Sequence, residues 1–177
     1  MIILKTDRLE LRAATAELAE AELRDKGEFS KLLRARVPEE WPPETLLDVR
    51  PLFRDNLRTH PEWEGWIAWY AVDLRSDDRV LCGSGGFKGP ANDAGMVEIG
   101  YSILPQFQGL GFASEMVIAL TGWAETKPEV NCVEAETAHD NIASQRVLLK
   151  AGFSEIGAGI EPDTVRFRRI GGKKSRS

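Results

Sequence analysis

Gln108-Gly109-Leu110-Gly111-Phe112-Ala113-Ser114 lies between a strand pattern and a helix pattern, and its reading decides the fold. Just upstream, Val97, Ile99, Tyr101 and Ile103 alternate with Glu98, Gly100 and Ser102, so the two sets occupy opposite faces of a strand. Downstream, Ala113, Met116, Val117, Leu120 and Ala124 recur at helical spacing and stop before Pro128. Glycines at such a junction let the backbone approach a ligand, and the first N–H groups of the helix lack intrahelical partners. That combination binds phosphate without a lysine. The Gly-Lys-Ser/Thr of a P-loop is absent, which excludes kinase or GTPase chemistry of that type. A dinucleotide fingerprint would need a third glycine where Ser114 stands and an alternating parallel sheet around it. Here three strand patterns in a row precede the loop. Taken alone, the glycine pair is equally well a tight helix entry.

Further toward the start, Trp66–Leu74 and Val80–Phe87 are strand-like and joined by Ser76-Asp77-Asp78, which predicts a hairpin. Arg8–Arg12 alternates as a half-buried strand, and Thr15 caps a helix predicted to run to about Leu33. Five of the nine prolines fall between residues 38 and 61, where Pro43-Glu44 opens a short helix through Leu46, Leu47, Leu52 and Leu57. Toward the end come a strand at Asn131–Thr137, a helix at Ile142–Ala151 with Gly152 as its cap, and short strands at Phe153–Ile156 and Val165–Ile170. This order predicts one α/β domain over residues 1–170.

A 177-residue chain is enough for a single core. With 42% hydrophobic and 29% charged residues it has a globular composition. The longest apolar run, Trp66 to Val72, is too short to cross a bilayer, and Met1-Ile2-Ile3-Leu4 resembles no secretion leader, so a cytoplasmic protein with no membrane partner is expected. A net charge of -5 gives no reason to bind nucleic acid, although the six basic residues after Asp163 end in what is predicted to be a flexible tail at 171–177. Cys82 and Cys132 are far apart and are read as two buried thiols, and with only His60 and His139 present no metal site is expected.

A second cluster, His139-Asp140-Asn141-Ile142-Ala143-Ser144, ends in Val147-Leu148-Leu149-Lys150-Ala151-Gly152-Phe153. Together with the glycine loop it resembles the GNAT superfamily of acyl-CoA-dependent N-acetyltransferases. Gln108, Gly111 and Ala113 match that family's acyl-CoA signature, with Gly109 also typical. Thr6-Asp7-Arg8-Leu9-Glu10-Leu11-Arg12 and Val97-Glu98-Ile99-Gly100-Tyr101 add a likeness to the branch of bacterial ribosomal-protein N-terminal acetyltransferases (RimJ/RimL-like). The resemblance covers residues 6 to about 157. It implies a central, mostly antiparallel mixed sheet of six to seven strands, helices on both faces and a splayed acyl-CoA cleft.

The implied activity moves an acetyl group from acetyl-CoA directly to a primary amine, on a protein N-terminus, a small molecule or an aminoglycoside-like polyamine, by a monomer or homodimer. Backbone N–H groups from Gln108, Gly109, Leu110 and Gly111 through Phe112, Ala113 and Ser114 would hold the pyrophosphate. Donors near Ser102 or Ile103 would polarise the thioester carbonyl, and Asn141 would contact pantetheine unless it only caps its helix. Glu98 is the candidate base, sharing a face with small Gly100 and Ser102, or else an exposed carboxylate. Many relatives place a tyrosine acid on the last helix; Leu148 stands there, and Ser144 is the candidate instead. The side chains of Phe112, Met116 and Leu120 are assigned to the core. Residues 38 to 69, with four of the five tryptophans, would supply an acceptor wall or core packing. A non-catalytic acyl-CoA sensor is the competing reading, kept open by Leu148, and a dinucleotide-dependent enzyme is the third.

Overall fold

The computed structural model of the protein describes residues 1–171; the tail expected at 171–177 lies outside these except for Gly171. Eight strands form one sheet: β1 (Ile3–Lys5), β2 (Leu9–Ala13), β3 (Ala68–Asp73), β4 (Val80–Phe87), β5 (Met96–Ile103), β6 (Cys132–Ala138), β7 (Ser154–Ala158) and β8 (Thr164–Ile170). Their spatial order is β1-β2-β3-β4-β5-β6-β8-β7. All neighbours are antiparallel except β5 and β6. The expected sheet is one strand short, because β1 is a three-residue edge piece with too little length to show an alternation.

The helices are α1 (Ala16–Arg24), α2 (Lys26–Leu33), α3 (Arg50–Thr59), α4 (Phe112–Glu125) and α5 (Ile142–Lys150). The single helix expected from Thr15 to Leu33 divides at Asp25. There the backbone is extended, the Asp25 N–H closes α1 on the Ala21 carbonyl, and the Asp25 carboxylate caps α2 by accepting from the Glu28 N–H. The helix expected from Pro43 is a 3-10 turn at Glu44–Leu46, with α3 following separately.

Each face of the sheet carries a core. One, under α4 and α5, gathers Leu11, Trp69, Ile99, Met116, Leu120 and Leu148; the other, under α1 to α3, gathers Leu18, Phe29, Leu33, Leu57, Tyr70 and Leu81. Burying a side chain of this size is worth about 1.5–3 kcal/mol, so α4 is held chiefly by its apolar stripe. The tryptophans belong to these cores. Trp66 and Trp69 pack on Trp123 with ring centroids 4.8 and 5.3 Å apart, and Trp41 lies 6.2 Å from Tyr70 on the opposite side. Cys82 is buried, whereas Cys132 is only half-buried, and neither forms a disulfide.

The crossover through α4 makes β5 and β6 parallel. They pair from Met96↔Cys132 to Glu98↔Glu134 and no further, although β5 continues to Ile103 and β6 to Ala138. The sheet therefore splits between these strands, leaving backbone groups of each turned toward an opening.

Candidate active site

The loop that enters α4 is shaped by two left-handed residues, Gly109 (φ +74°) and Gly111 (φ +82°). Gly111 is the N-cap and offers no side chain, so the first N–H groups of this fourteen-residue helix are without a capping partner. In contrast, Thr15, Asp25 and Asn141 cap α1, α2 and α5 through their side chains. The loop is tied down from behind by Arg8. Its Nε and Nη2 each lie 2.7 Å from Glu115 Oε2, its Nη1 donates to the Leu110 carbonyl at 2.8 Å, and its guanidinium covers the Phe112 ring at 5.0 Å. Gln108 adds a tie through Nε2, which donates to the Ile103 carbonyl at 3.0 Å. Burial raises the Glu115 carboxyl, but hydrogen bonds from Thr6 and Arg8 outweigh that and hold it below the usual carboxylate range.

Thr6, Arg8, Gly111, Ser114 and Lys150 are among the residues around a cavity of about 420 Å³ beside this helix start. Ser114 is buried, the Phe112 side chain is in the core, and Leu110 and Ala113 are more open.

On β5, the Lys88 N–H bonds the Glu98 carbonyl and the Leu104 N–H bonds the Cys82 carbonyl, marking the two ends of the β4 ladder. By alternation Gly100 and Ser102 also direct their backbone to β4, so the donors facing the split are Tyr101 and Ile103. This corrects the expectation for Ser102, whose hydroxyl instead accepts from Thr45 Oγ1 at 3.2 Å.

Across the opening, Tyr101 Oη lies 2.9 Å from Ser144 Oγ and 3.1 Å from the Ser144 carbonyl. Burial raises the Tyr101 pKa although the Ser144 bond opposes it, so the phenol keeps its proton near neutrality. The Asn141 Oδ1 accepts the Ser144 N–H at 3.0 Å, so this oxygen acts as the cap.

Glu98 stands at the last paired position of β5, half-buried and joined to Lys88 Nζ by an ion pair. Its register partner Glu134 is buried and gripped by Arg166 and Arg168. Burial pushes the Glu134 carboxyl up, but those two guanidiniums outweigh it and lower its pKa. Two carboxylates thus sit side by side at the root of the split, each with its own counter-ion. A second cavity of about 470 Å³ lies on this face, between α3 and the strands β4 and β5.

The sequence matches the description "Acetyltransferase (GNAT) domain" over residues 8–154. The chain belongs to the GNAT acetyltransferases. Similar to this GNAT enzyme is the uncharacterized N-acetyltransferase YjdG of Bacillus subtilis, 30% identical over 153 residues, 86% of this chain and 90% of that protein. Among solved structures, RimL, a ribosomal L7/L12 α-N-protein acetyltransferase in complex with coenzyme A, superposes with a TM-score of 0.68 at 21% identity, covering 96% of this chain and 98% of that one. The ribosomal-protein-S5-alanine acetyltransferase of Vibrio fischeri gives 0.68 at 15% identity, with 98% of each chain covered. These two share the fold.

In this GNAT chain Leu148 is fully buried in the core beneath α5, out of reach of any substrate. A tyrosine nevertheless reaches the first turn of α5, from the strand side, as Tyr101. Among the described residues no cluster of three or more His, Cys, Asp or Glu could hold a metal ion, and no helix is long and apolar enough to span a membrane. Three contacts around the candidate site escaped the sequence reading: Arg8–Glu115, Tyr101–Ser144 and Glu134 with its two arginines. All join residues more than 30 positions apart, and no periodicity reports on such pairs.

Proposed function

We propose that this GNAT enzyme transfers the acetyl group of acetyl-CoA directly to a primary amine, with the helix start serving the donor and the second cavity the acceptor. The supporting observation is the split between β5 and β6, which starts at Glu98 and lies beside the uncapped N-terminus of α4. Acetyl-CoA, when bound, supplies the acyl group as a thioester. The N–H groups of Phe112, Ala113 and Ser114, with the helix dipole, suit its pyrophosphate. The free backbone edges of β5 and β6 suit an extended amide-bearing arm. Tyr101 and Ile103 N–H groups face the gap and serve to polarise a carbonyl there.

Glu98 acts as general base, directly or through water. An α-amine has a pKa of about 7.7–8.0, so a strong base is not needed. Ser144 relays a proton to the departing sulfur, regaining one from solvent as it gives its own up, so the proton that Glu98 takes from the amine is matched by the one the thiol gains; Tyr101 holds the Ser144 hydroxyl in place. A hydroxyl delivered this way removes the reason for which Leu148 favoured a mere sensor.

Thermal unfolding with saturating acetyl-CoA, desulfo-CoA and NADH tests the donor without a known acceptor. At 100 times its Kd a ligand adds about 2.7 kcal/mol, a midpoint rise of roughly 5–10 °C for a domain of this size. Both CoA compounds should raise the midpoint and NADH should not. A rise with NADH alone would return the glycine loop to the dinucleotide reading.

A further inference from the structure

The 470 Å³ cavity has a construction that speaks to its occupant. Its roof is α3, where Val49, Leu52, Phe53 and Asn56 recur at helical spacing and line the space. The opposite side of α3 is fastened to α1 by ion pairs, Arg50 with Glu22 at 3.8 Å and Arg54 with Glu20 at 3.6 Å, and Leu57 alone is buried. These ties turn the apolar face of α3 down toward the sheet. Leu52, 57% exposed, stands at the open rim of the cavity.

The floor is bare by composition. Gly85, Gly86 and Gly100 all line it, and a Cβ added at Gly100 would meet no atom within 4 Å. At Gly86 a Cβ would collide with the Ile67 carbonyl, and at Gly85 it would press on Leu120 and Met116 at 3.1 Å, so the fold itself calls for glycine at those two; at Gly100 it does not. The space above Gly100 is open beside the start of the split.

Charge is the deciding feature. Among the fifteen lining residues there is no carboxylate, and Lys88 is the one permanently charged group. The nearby Glu98 already faces that lysine. A polyamine or aminoglycoside would bring several ammonium groups into a wall that offers no counter-ion, at a desolvation cost. The chain's overall charge of -5 does not alter this, because the carboxylates nearest the cavity, Glu98 and Glu134, are already paired with Lys88 and with Arg166 and Arg168.

We infer that the cavity takes an acceptor with a single reacting amine on an apolar body: an arylalkyl or branched alkyl monoamine, free or as the first residue of a peptide. This rests on the acetyltransferase reading and adds its substrate class. The apolar body lies between α3 and Gly100, and the amine faces the split near Glu98.

The test measures CoA release by the whole chain with 2-phenylethylamine, a short peptide beginning with phenylalanine, spermidine and kanamycin, alongside acetyl-CoA-dependent thermal stabilisation. One or both of the first two should exceed the polycations in kcat/KM by at least about tenfold, the discrimination expected of an apolar pocket. Which of the two is used separates a free amine from a chain N-terminus. Leu52→Glu, at an exposed position, should bring this ratio down by about tenfold or more while leaving acetyl-CoA stabilisation intact. Gly100→Val should depress use of the apolar acceptor without unfolding the chain. Stabilisation by acetyl-CoA combined with a preference for spermidine or kanamycin, or with no turnover of either apolar amine, would overturn the inference and leave the donor reading standing. Absence of acetyl-CoA stabilisation would overturn both.

Discussion

Replacing Arg8 with methionine keeps most of the side chain's length and removes its charge and donors. The guanidinium makes three charge-assisted contacts, two to Glu115 Oε2 and one to the Leu110 carbonyl, besides lying over Phe112. At about 1.5–3 kcal/mol each in a dry setting, these would sum to more than the site can deliver. Arg8 is 37% exposed, so water competes and screens, and a loss of about 2 kcal/mol is the reasonable figure. For a domain of this size that is a fall of roughly 4–8 °C in Tm at neutral pH. The deficit should also depend on pH. Glu115 has a folded pKa held below its unfolded value, so its contribution is complete above the usual carboxylate range and disappears as pH falls through the folded pKa. Wild type and Arg8→Met should therefore converge in acid. Because Arg8 fastens Leu110 and stands 3.2 Å from where a Cβ of Gly111 would be, the variant should also weaken acetyl-CoA binding. Calorimetric or urea unfolding at neutral and acid pH, with and without acetyl-CoA, reads all three. Equal midpoints at neutral pH, or a gap that persists unchanged in acid, would refute the clamp.

Gly111→Val should abolish acetyl-CoA stabilisation, since a β-branched residue at φ +82° is strained by about 1–2 kcal/mol and would crowd Arg8, and an unchanged ligand response in a folded variant would remove this loop from the binding site. Glu98→Gln should lower kcat with acetyl-CoA affinity retained; full activity from pH 6 to 9 would end its role as base. Ser144→Ala should slow CoA release more than Tyr101→Phe does, because the phenol only positions the hydroxyl, and the reverse order would make Tyr101 the acid. Burial first, then the Asp73 charge, pushes the Cys82 thiol up to about 12, so a thiol reagent at pH 8 should modify Cys132 and reach Cys82 only after unfolding.

Elements with a long apolar period were legible. α4 could be read because Met116, Val117, Leu120 and Ala124 share one stripe and Pro128 follows it; β4 appeared with its observed ends because glycine, valine and aromatic residues lie between clear turn signals. Asp25 was hidden because the residues on either side keep a helical composition, and one residue serves both as stop and start. The tryptophans between 38 and 69 looked equally suited to a wall or a core, since aromatic content carries no direction. The second cavity is lined from the same stretch, but by Leu46, Val49, Leu52 and Phe53 and by none of the tryptophans. Glu98, the glycine loop and Ser144 were named from motifs, whereas the groups that hold them come from distant parts of the chain.

The first cavity lies at the start of α4, bounded by that helix, Lys150 and the turn before β2, whereas the second lies between α3 and the strands β4 and β5. On the proposed reading, donor and acceptor arrive by separate openings and neither has to pass the other. Kinetically this favours a ternary complex with no compulsory order of addition, and product release through separate exits. The same separation lets the acceptor side diverge under selection, through α3 and its flanking turn, while the donor side is preserved.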